Sequence, residues 1–281
     1  MKKAIYISIE GPNGSGKSTL AKKIFQYIKD SGMPAVLNTQ PTKKSQSEVG
    51  DFESKGNPIG VVIRELIERR MPTDEMIRNY LVKLKELKKI CLLNVIGSDK
   101  EEDTIISSQF ITTLYNAHSL IIEGKSLDEK TMQALYCADG LFDFKETVIP
   151  AIKAGVSDVK DRERFTSFAH GDANGFSFEE NLKIHQIVLG DFYIKPDIMF
   201  YLDVPVPVCV ERLSKSGKVL DIYEEAETIG RIIQSYKKAI EFFKMYPEVG
   251  YKNIHCINGE QNEDLVFKDA LLQLQNLLSI R

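Results

Sequence analysis

The chain has 281 residues, 43% hydrophobic and 27% charged, the balance of a globular protein with a full-sized core. Its 37 basic and 40 acidic residues leave a formal net charge of −3, so no overall basic field recommends a nucleic-acid partner. The chain starts without a cleavable apolar segment and holds no run of roughly 18 apolar residues, so the expectation is a soluble, cytoplasmic protein with no membrane partner.

Residues 3–9 are a short apolar, β-branched run of the kind expected for a buried parallel strand. The next stretch, Glu10 to Thr19, fits G-x-x-x-x-G-K-[ST], with Gly11 as the first glycine, Gly16 and Lys17 as the pair, and Ser18 as the hydroxyl residue. Leu20, Ala21, Ile24, Phe25 and Ile28 follow at helical spacing, and Ser31 and Gly32 supply a stop before Pro34. Strand, glycine-rich loop and helix together make a mononucleotide-binding site. Glycines let the backbone N–H groups turn inward as an anion nest, Lys17 reaches the β- and γ-phosphates, and Ser18 holds Mg²⁺. The predicted phosphate contacts are therefore Gly11, Asn13, Gly14, Ser15, Gly16, Lys17, Ser18 and Thr19.

Residues 33–39 read as a second strand ending at Gln40 and Pro41, and the polar segment 43–57 is loop-like. A helix restarts at Pro58 with Asn57 as its cap. From about 72 to 127 the pattern is helical and charged, broken at 97–103, which makes a helical hairpin inserted as a structural or oligomerising appendage. Ser126 is the expected cap of the next long helix, whose apolar stripe runs to residues 148–150. Residues 154–162 look like a strand ending in the charged pair Asp161 and Arg162, and 197–204 like a central strand. Helices are expected at 179–189, 207–213, 226–245 and 264–278, with a last strand at 253–257. Strands alternating with helices imply an α/β fold: a three-layer α/β/α P-loop architecture with a parallel sheet, in one domain over 1–281. Its ligand crevice lies at the carboxyl ends of the strands, where the phosphate loop, Gln40 and the Asp161–Arg162 pair all fall. Cys91, Cys137, Cys209 and Cys256 are far apart with no C-x-x-C pair, which fits buried reduced thiols better than a metal site or disulfides.

A phosphate loop alone does not separate kinases from switches, motors or binding modules. An Asn-Lys-x-Asp element for reading guanine is absent, as is a strand closing on a carboxylate pair that would activate water.

Several stretches together resemble the thymidylate kinases, which pass the γ-phosphoryl of ATP to deoxythymidine monophosphate. Ile9, Glu10 and Gly11 with the loop look like the family's Phe-Glu-Gly opening. Pro58, Ile59 and Gly60 with Ile63 and Arg64 resemble its Gly-x-x-Ile-Arg helix, whose arginine grips the acceptor phosphate. Residues 134–139 are similar to Leu-Phe-x-Ala-Asp-Arg, where the aromatic stacks on the base, here Tyr136. Asp161 and Arg162 match the start of Asp-Arg-Tyr, and Ser167 to Ala169 the Ser-x-Ala beyond it. Lys195 to Pro205, with Glu211, Arg212 and Leu213, is close to the Pro-Asp strand and its Arg-bearing helix. The resemblance covers residues 1 to about 71 and 129 to 281.

It implies a catalytic set of Lys17, Arg162 and Asp161, with Arg162 bridging donor and acceptor phosphates and Asp161 either orienting it or joining Ser18 at Mg²⁺. Arg212 and Lys218 belong to the donor side, and a short lid at about 213–225 carries Lys215 and Lys218, which otherwise form a solvated turn. Gln40, Arg64, Tyr136, Phe168 and His170 are expected on the acceptor, Tyr136 and Phe168 sandwiching a base unless they are core aromatics. The expected partners are small-molecule nucleotides, and related kinases pair, which makes a homodimer an option. The departures fall on the acceptor side. Arg-Glu-Pro becomes Thr39, Gln40 and Pro41; Gly140 stands where the family has a thymine-reading arginine; Glu163 and His170 replace tyrosines. Another pyrimidine nucleotide or a nucleoside is thus an alternative acceptor, and an ATP-binding protein that uses its insertion to engage a partner is an alternative class.

Overall fold

The computed structural model describes residues 4–42, 56–95, 100–217, 223–246 and 251–280. Five strands, β1 (Tyr6–Glu10), β2 (Ala35–Thr39), β3 (Ser157–Asp161), β4 (Ile198–Asp203) and β5 (Ile254–Asn258), form one parallel sheet in the order β2-β3-β1-β4-β5. With β1 central, its two neighbours come from opposite halves of the order, so a crevice opens at the carboxyl ends of β1, β3 and β4.

Side chains alternate across the sheet with a period of two, and the two faces differ in chemistry. Ile5, Ile7 and Ile9 of β1 and its approach, Val159 of β3, and Ile198, Phe200 and Leu202 of β4 pack on one face. There they meet α1 (Lys17–Asp30) and α11 (Glu263–Ile280) through Leu20, Ile24, Val266 and Leu274. The opposite face carries Ser8, Glu10, Asn38, Asp158 and Lys160, all buried. These polar groups find partners internally, as burial demands: Asn38 donates to Asp158 at 2.6 Å, and Lys160 pairs with Asp143. Helices α5 (Glu129–Asp143), α7 (Arg164–Ala173), α8 (Phe178–Leu189) and α10 (Ala226–Met245) cover this side, joined by α2 (Pro58–Ile67), with α9 (Val206–Lys215) following β4.

The hairpin arms are α3 (Asp74–Val95) and α4 (Glu101–Ile122). Tyr80, Leu84, Leu87 and Cys91 of α3 and Phe110, Leu114 and Ile121 of α4 share one core with α2, α5 and α8. Asn57 caps α2 by accepting from the Ile59 and Gly60 N–H groups. The cap of α5 is Asp128, not Ser126: its carboxylate accepts from Thr131 N at 2.8 Å. After α5 the chain winds through one wide helical turn at Phe144–Val148 into α6 (Ile149–Lys153), so the apolar stripe crosses two helices. Cys91, Cys137 and Cys209 are buried thiols, whereas Cys256 is exposed because β5 is an edge strand. Among the described residues, no helix is long and apolar enough to cross a membrane.

Candidate active site

The phosphate loop runs from the end of β1 into the first turn of α1. Gly14 has φ 78°, and a Cβ there would lie 2.5 Å from the Cys209 carbonyl oxygen, so the loop rests on the α9 backbone in a way only glycine permits. Lys17 opens α1 and is 5% exposed; its Nζ donates to Pro12 O at 2.6 Å and Ser15 Oγ at 3.4 Å. Burial, with the Arg162 guanidinium close by, lowers Lys17 to about 7.

The end of β3 delivers two charged side chains onto this loop. Ser18 Oγ donates to Asp161 Oδ2, while Asp161 Oδ1 is buried and has no partner among the described residues. A hydroxyl and a carboxylate side by side are hard oxygen donors of the kind Mg²⁺ takes when phosphates supply the remaining ligands. Arg162 follows at φ 70°, a left-handed conformation uncommon for a side chain of its kind. That turn swings its guanidinium back over the loop, where it donates to Gly11 O at 3.3 Å and to Asn13 Oδ1.

Arg162 also lines a cavity with Gln40, Tyr136, Ser167 and His170. Gln40 is buried and donates to Tyr136 O at 3.2 Å. A Cβ on Gly140 would come within 3.3 Å of Gln40 Nε2, so Gln40 occupies the space above Gly140. His170 is 5% exposed, and neither ring nitrogen has a partner among the described residues. Burial, with Arg162 and Lys17 nearby, holds it well below the usual histidine range, so it faces the cavity neutral, with one donor and one acceptor. Arg64 does not line this cavity; it donates to the backbone oxygen of Pro41, which does.

Phe168 is not in this cavity. It is fully buried on the far side of α7, 4.9 Å from the Phe243 ring and 5.1 Å from His185, so it is a core aromatic and not a base-stacking one. Glu163, expected only as a lost tyrosine, is the buried cap of α7. Arg164 does not replace an arginine at 140: its guanidinium bonds Glu163 and Ile194 O and lies between the Phe144 and Tyr193 rings.

A second cavity on the opposite side of the loop is lined by Gly16, Thr19, Arg212, Gly259 and Asn262. Arg212 donates to Gly259 O at 2.9 Å and Ser15 O at 3.4 Å, tying the loop to the segment after β5. Lys218 lies outside the described residues; Lys215 pairs with Glu211 on α9.

Ser167, quoted in the sequence only as part of the Ser-x-Ala match, lines the cavity, and the buried Asp139 was given no role of its own. Asp139 accepts from Thr42 N at 2.9 Å and from Asn57 Nδ2 at 2.5 Å, fixing the turn after β2 against α2. Its only signal was its position in the segment at 134–139.

The family model "Thymidylate kinase" matches residues 112–270, more than half of the chain. A probable thymidylate kinase of Thermococcus kodakarensis is 24% identical over 275 residues, 98% of each chain. A thymidylate kinase of Clostridium novyi is 26% identical, covering 96% of this chain and 98% of the relative, and one of Leptospira interrogans is 21% identical, covering 96% and 93%. Together with the parallel sheet and the loop at the end of β1, the match shows that the chain belongs to the thymidylate kinase family.

Proposed function

We propose that this chain transfers the γ-phosphoryl group of ATP to dTMP to give dTDP and ADP. One observation carries the reading: Arg162 bonds the phosphate loop at Gly11 and Asn13 while lining the cavity that holds Tyr136 and His170. A single guanidinium therefore borders both the donor phosphates and the acceptor, where charge shifts during transfer.

The donor lies with its phosphates in the loop N–H groups against Lys17, and with its base towards Arg212 and Asn262. The acceptor enters between Tyr136 and His170, its phosphate towards Arg162, with Arg64 behind Pro41 of the cavity wall. Its phosphate oxygen is already a nucleophile, so His170 reads and orients the acceptor and is not required as a base. Ser18 and Asp161 would hold Mg²⁺, which would supply neutralisation of the phosphate oxygens. The family's charge clamp is thinner here: Gln40 over Gly140 offers amide hydrogen bonds in place of a carboxylate and an arginine.

ADP release measured over a panel of nucleoside monophosphates and free nucleosides tests the assignment. dTMP should support the highest kcat/KM. A higher value for another acceptor, or ADP release that needs no acceptor, overturns it.

A further inference from the structure

Glu10 is the last residue of β1 and is fully buried on the polar face of the sheet. Its carboxylate is the meeting point of groups from three elements. Oε1 accepts from Ser8 Oγ at 3.1 Å and from the Glu163 backbone N–H at 2.7 Å. Oε2 accepts from Thr166 Oγ1 at 2.6 Å and from the Tyr236 hydroxyl at 3.1 Å, and those two hydroxyls lie 2.9 Å apart. Four donors converge on these two oxygens, although burial and the neighbouring Glu163 carboxylate raise the group to about 7.

The residue between the two anchored amides is Arg162. Its own N–H donates to Ile9 O at 3.0 Å, and the next N–H, that of Glu163, is held by Glu10. A left-handed arginine at a strand end persists only where its surroundings over-determine it. Ile9 and Glu10 fix the peptides on both sides, and Thr166 in the first turn of α7 locks the helix to the same carboxylate.

We propose that Glu10 is a positioning residue for phosphoryl transfer: it pins the Glu163 N–H and the start of α7 to the end of β1, holding Arg162 in the turn that aims its guanidinium across the phosphate loop. Glu10 itself lines neither cavity, while Glu163 and Thr166, which it holds, line the acceptor cavity beside Arg162, so its route through Arg162 has to be separated from its effect on the rest of that wall. The proposal rests on the reading of Arg162 as the group between donor and acceptor.

A double-mutant cycle on the full chain tests it, with kcat and the ATP dissociation constant measured separately. Glu10→Ala should lower kcat by roughly tenfold or more, the effect of leaving the buried Glu163 N–H without its acceptor, and leave ATP affinity within about twofold, because the phosphate loop keeps its other contacts. Glu10→Gln retains an oxygen for the Glu163 N–H and should keep kcat close to wild type. In an Arg162→Ala background, Glu10→Ala should have no further effect on kcat. Equal losses in both backgrounds, or Glu10→Gln as impaired as Glu10→Ala, overturn the proposal. If Glu10→Ala does not fold, Tyr236→Phe takes its place in the same cycle with the same criterion of non-additivity. Hydrogen exchange at the Glu163 amide supplies a readout independent of turnover: protection in the wild type that is kept in Glu10→Gln supports the clamp, and an unprotected wild-type amide overturns it. A wild type that transfers no phosphoryl group to dTMP would instead count against the functional reading, leaving the exchange result to judge Glu10.

Discussion

Lys17, buried, and Arg162, half-buried, both face the place of a polyanion, and each should fail differently. Removing Lys17 leaves the loop backbone intact, so Lys17→Ala should abolish transfer while its urea midpoint stays at or above that of the wild type; full activity in the variant would refute the assignment. Lys17 sits at about 7 in the free protein, pushed down by burial and by Arg162. A triphosphate beside it favours the charged form, so ATP binding should take up a proton at and above neutral pH, and affinity should weaken as pH rises beyond 7. Calorimetric titrations in buffers of different ionisation enthalpy report that proton directly; identical apparent enthalpies would show that Lys17 is already charged. Arg162→Ala should cut kcat by roughly a thousandfold or more, the scale of a lost charge clamp, and a change confined to KM would show that Arg162 only binds. At this scale the donor half was legible, because glycine spacing and a lysine are required by phosphate geometry itself. The acceptor half was legible in part. Tyr136 and Phe168 fall at similar aromatic positions, yet one faces the cavity and the other the core, since α7 turns its 168 face toward Phe243. Only packing decides that.

Elements were readable where period and caps agree. The helix at 226–245 coincides with α10, and Asn57 caps α2 as its position before Pro58 indicates. The helix α7 was not anticipated, because Thr166, Ser167, His170, Gly171 and Asp172 break up Arg164–Ala173 and leave its apolar residues, Phe165, Phe168, Ala169 and Ala173, without a clear helical stripe. It is held instead by tertiary contact, above all with α10. The hairpin shows the converse. Its two helices were clear from periodicity, but its apolar positions could not reveal what they face. Leu87 and Leu114 are wholly buried in the core that also contains Ile63 of α2 and Leu135 of α5, and Tyr80 donates to Leu114 O at 3.0 Å. Leu87→Ala should therefore destabilise the whole chain by about 2–5 kcal/mol, the cost of a core cavity. Urea unfolding followed both by far-ultraviolet dichroism and by the loss of ATP binding should show one coincident transition. If the hairpin melts first and leaves ATP binding unaltered, its core is separate from that of the sheet.

Across the whole molecule the sheet divides into an apolar face on α1 and α11 and a buried polar face under the acceptor cavity, and this division was hidden from the sequence. In β3 the run Ser157, Asp158, Val159, Lys160 and Asp161 holds a single apolar residue, as a largely solvated strand would, yet Asp158 and Lys160 are both buried. The position of β3 between β1 and β2, with α5 above it, overrides the pattern. A buried polar layer has a cost that depends on pH. Burial raises Asp158 from 3.8 to about 7, opposed only by the hydrogen bond from Asn38. The folded chain therefore holds this proton more tightly than the unfolded one. The contribution to stability is complete below about 4 and is lost as pH rises through 7, beyond which the carboxylate must be ionised in the interior. Asp158→Asn keeps an oxygen for the Asn38 amide and removes the ionisation. The variant should match the wild type in urea midpoint at pH 4 and exceed it at pH 8, so that the two stability curves diverge as pH rises. A constant offset between them would mean that Asp158 is stabilised as an anion, its charge shared across the polar layer with Lys160 and its neighbours.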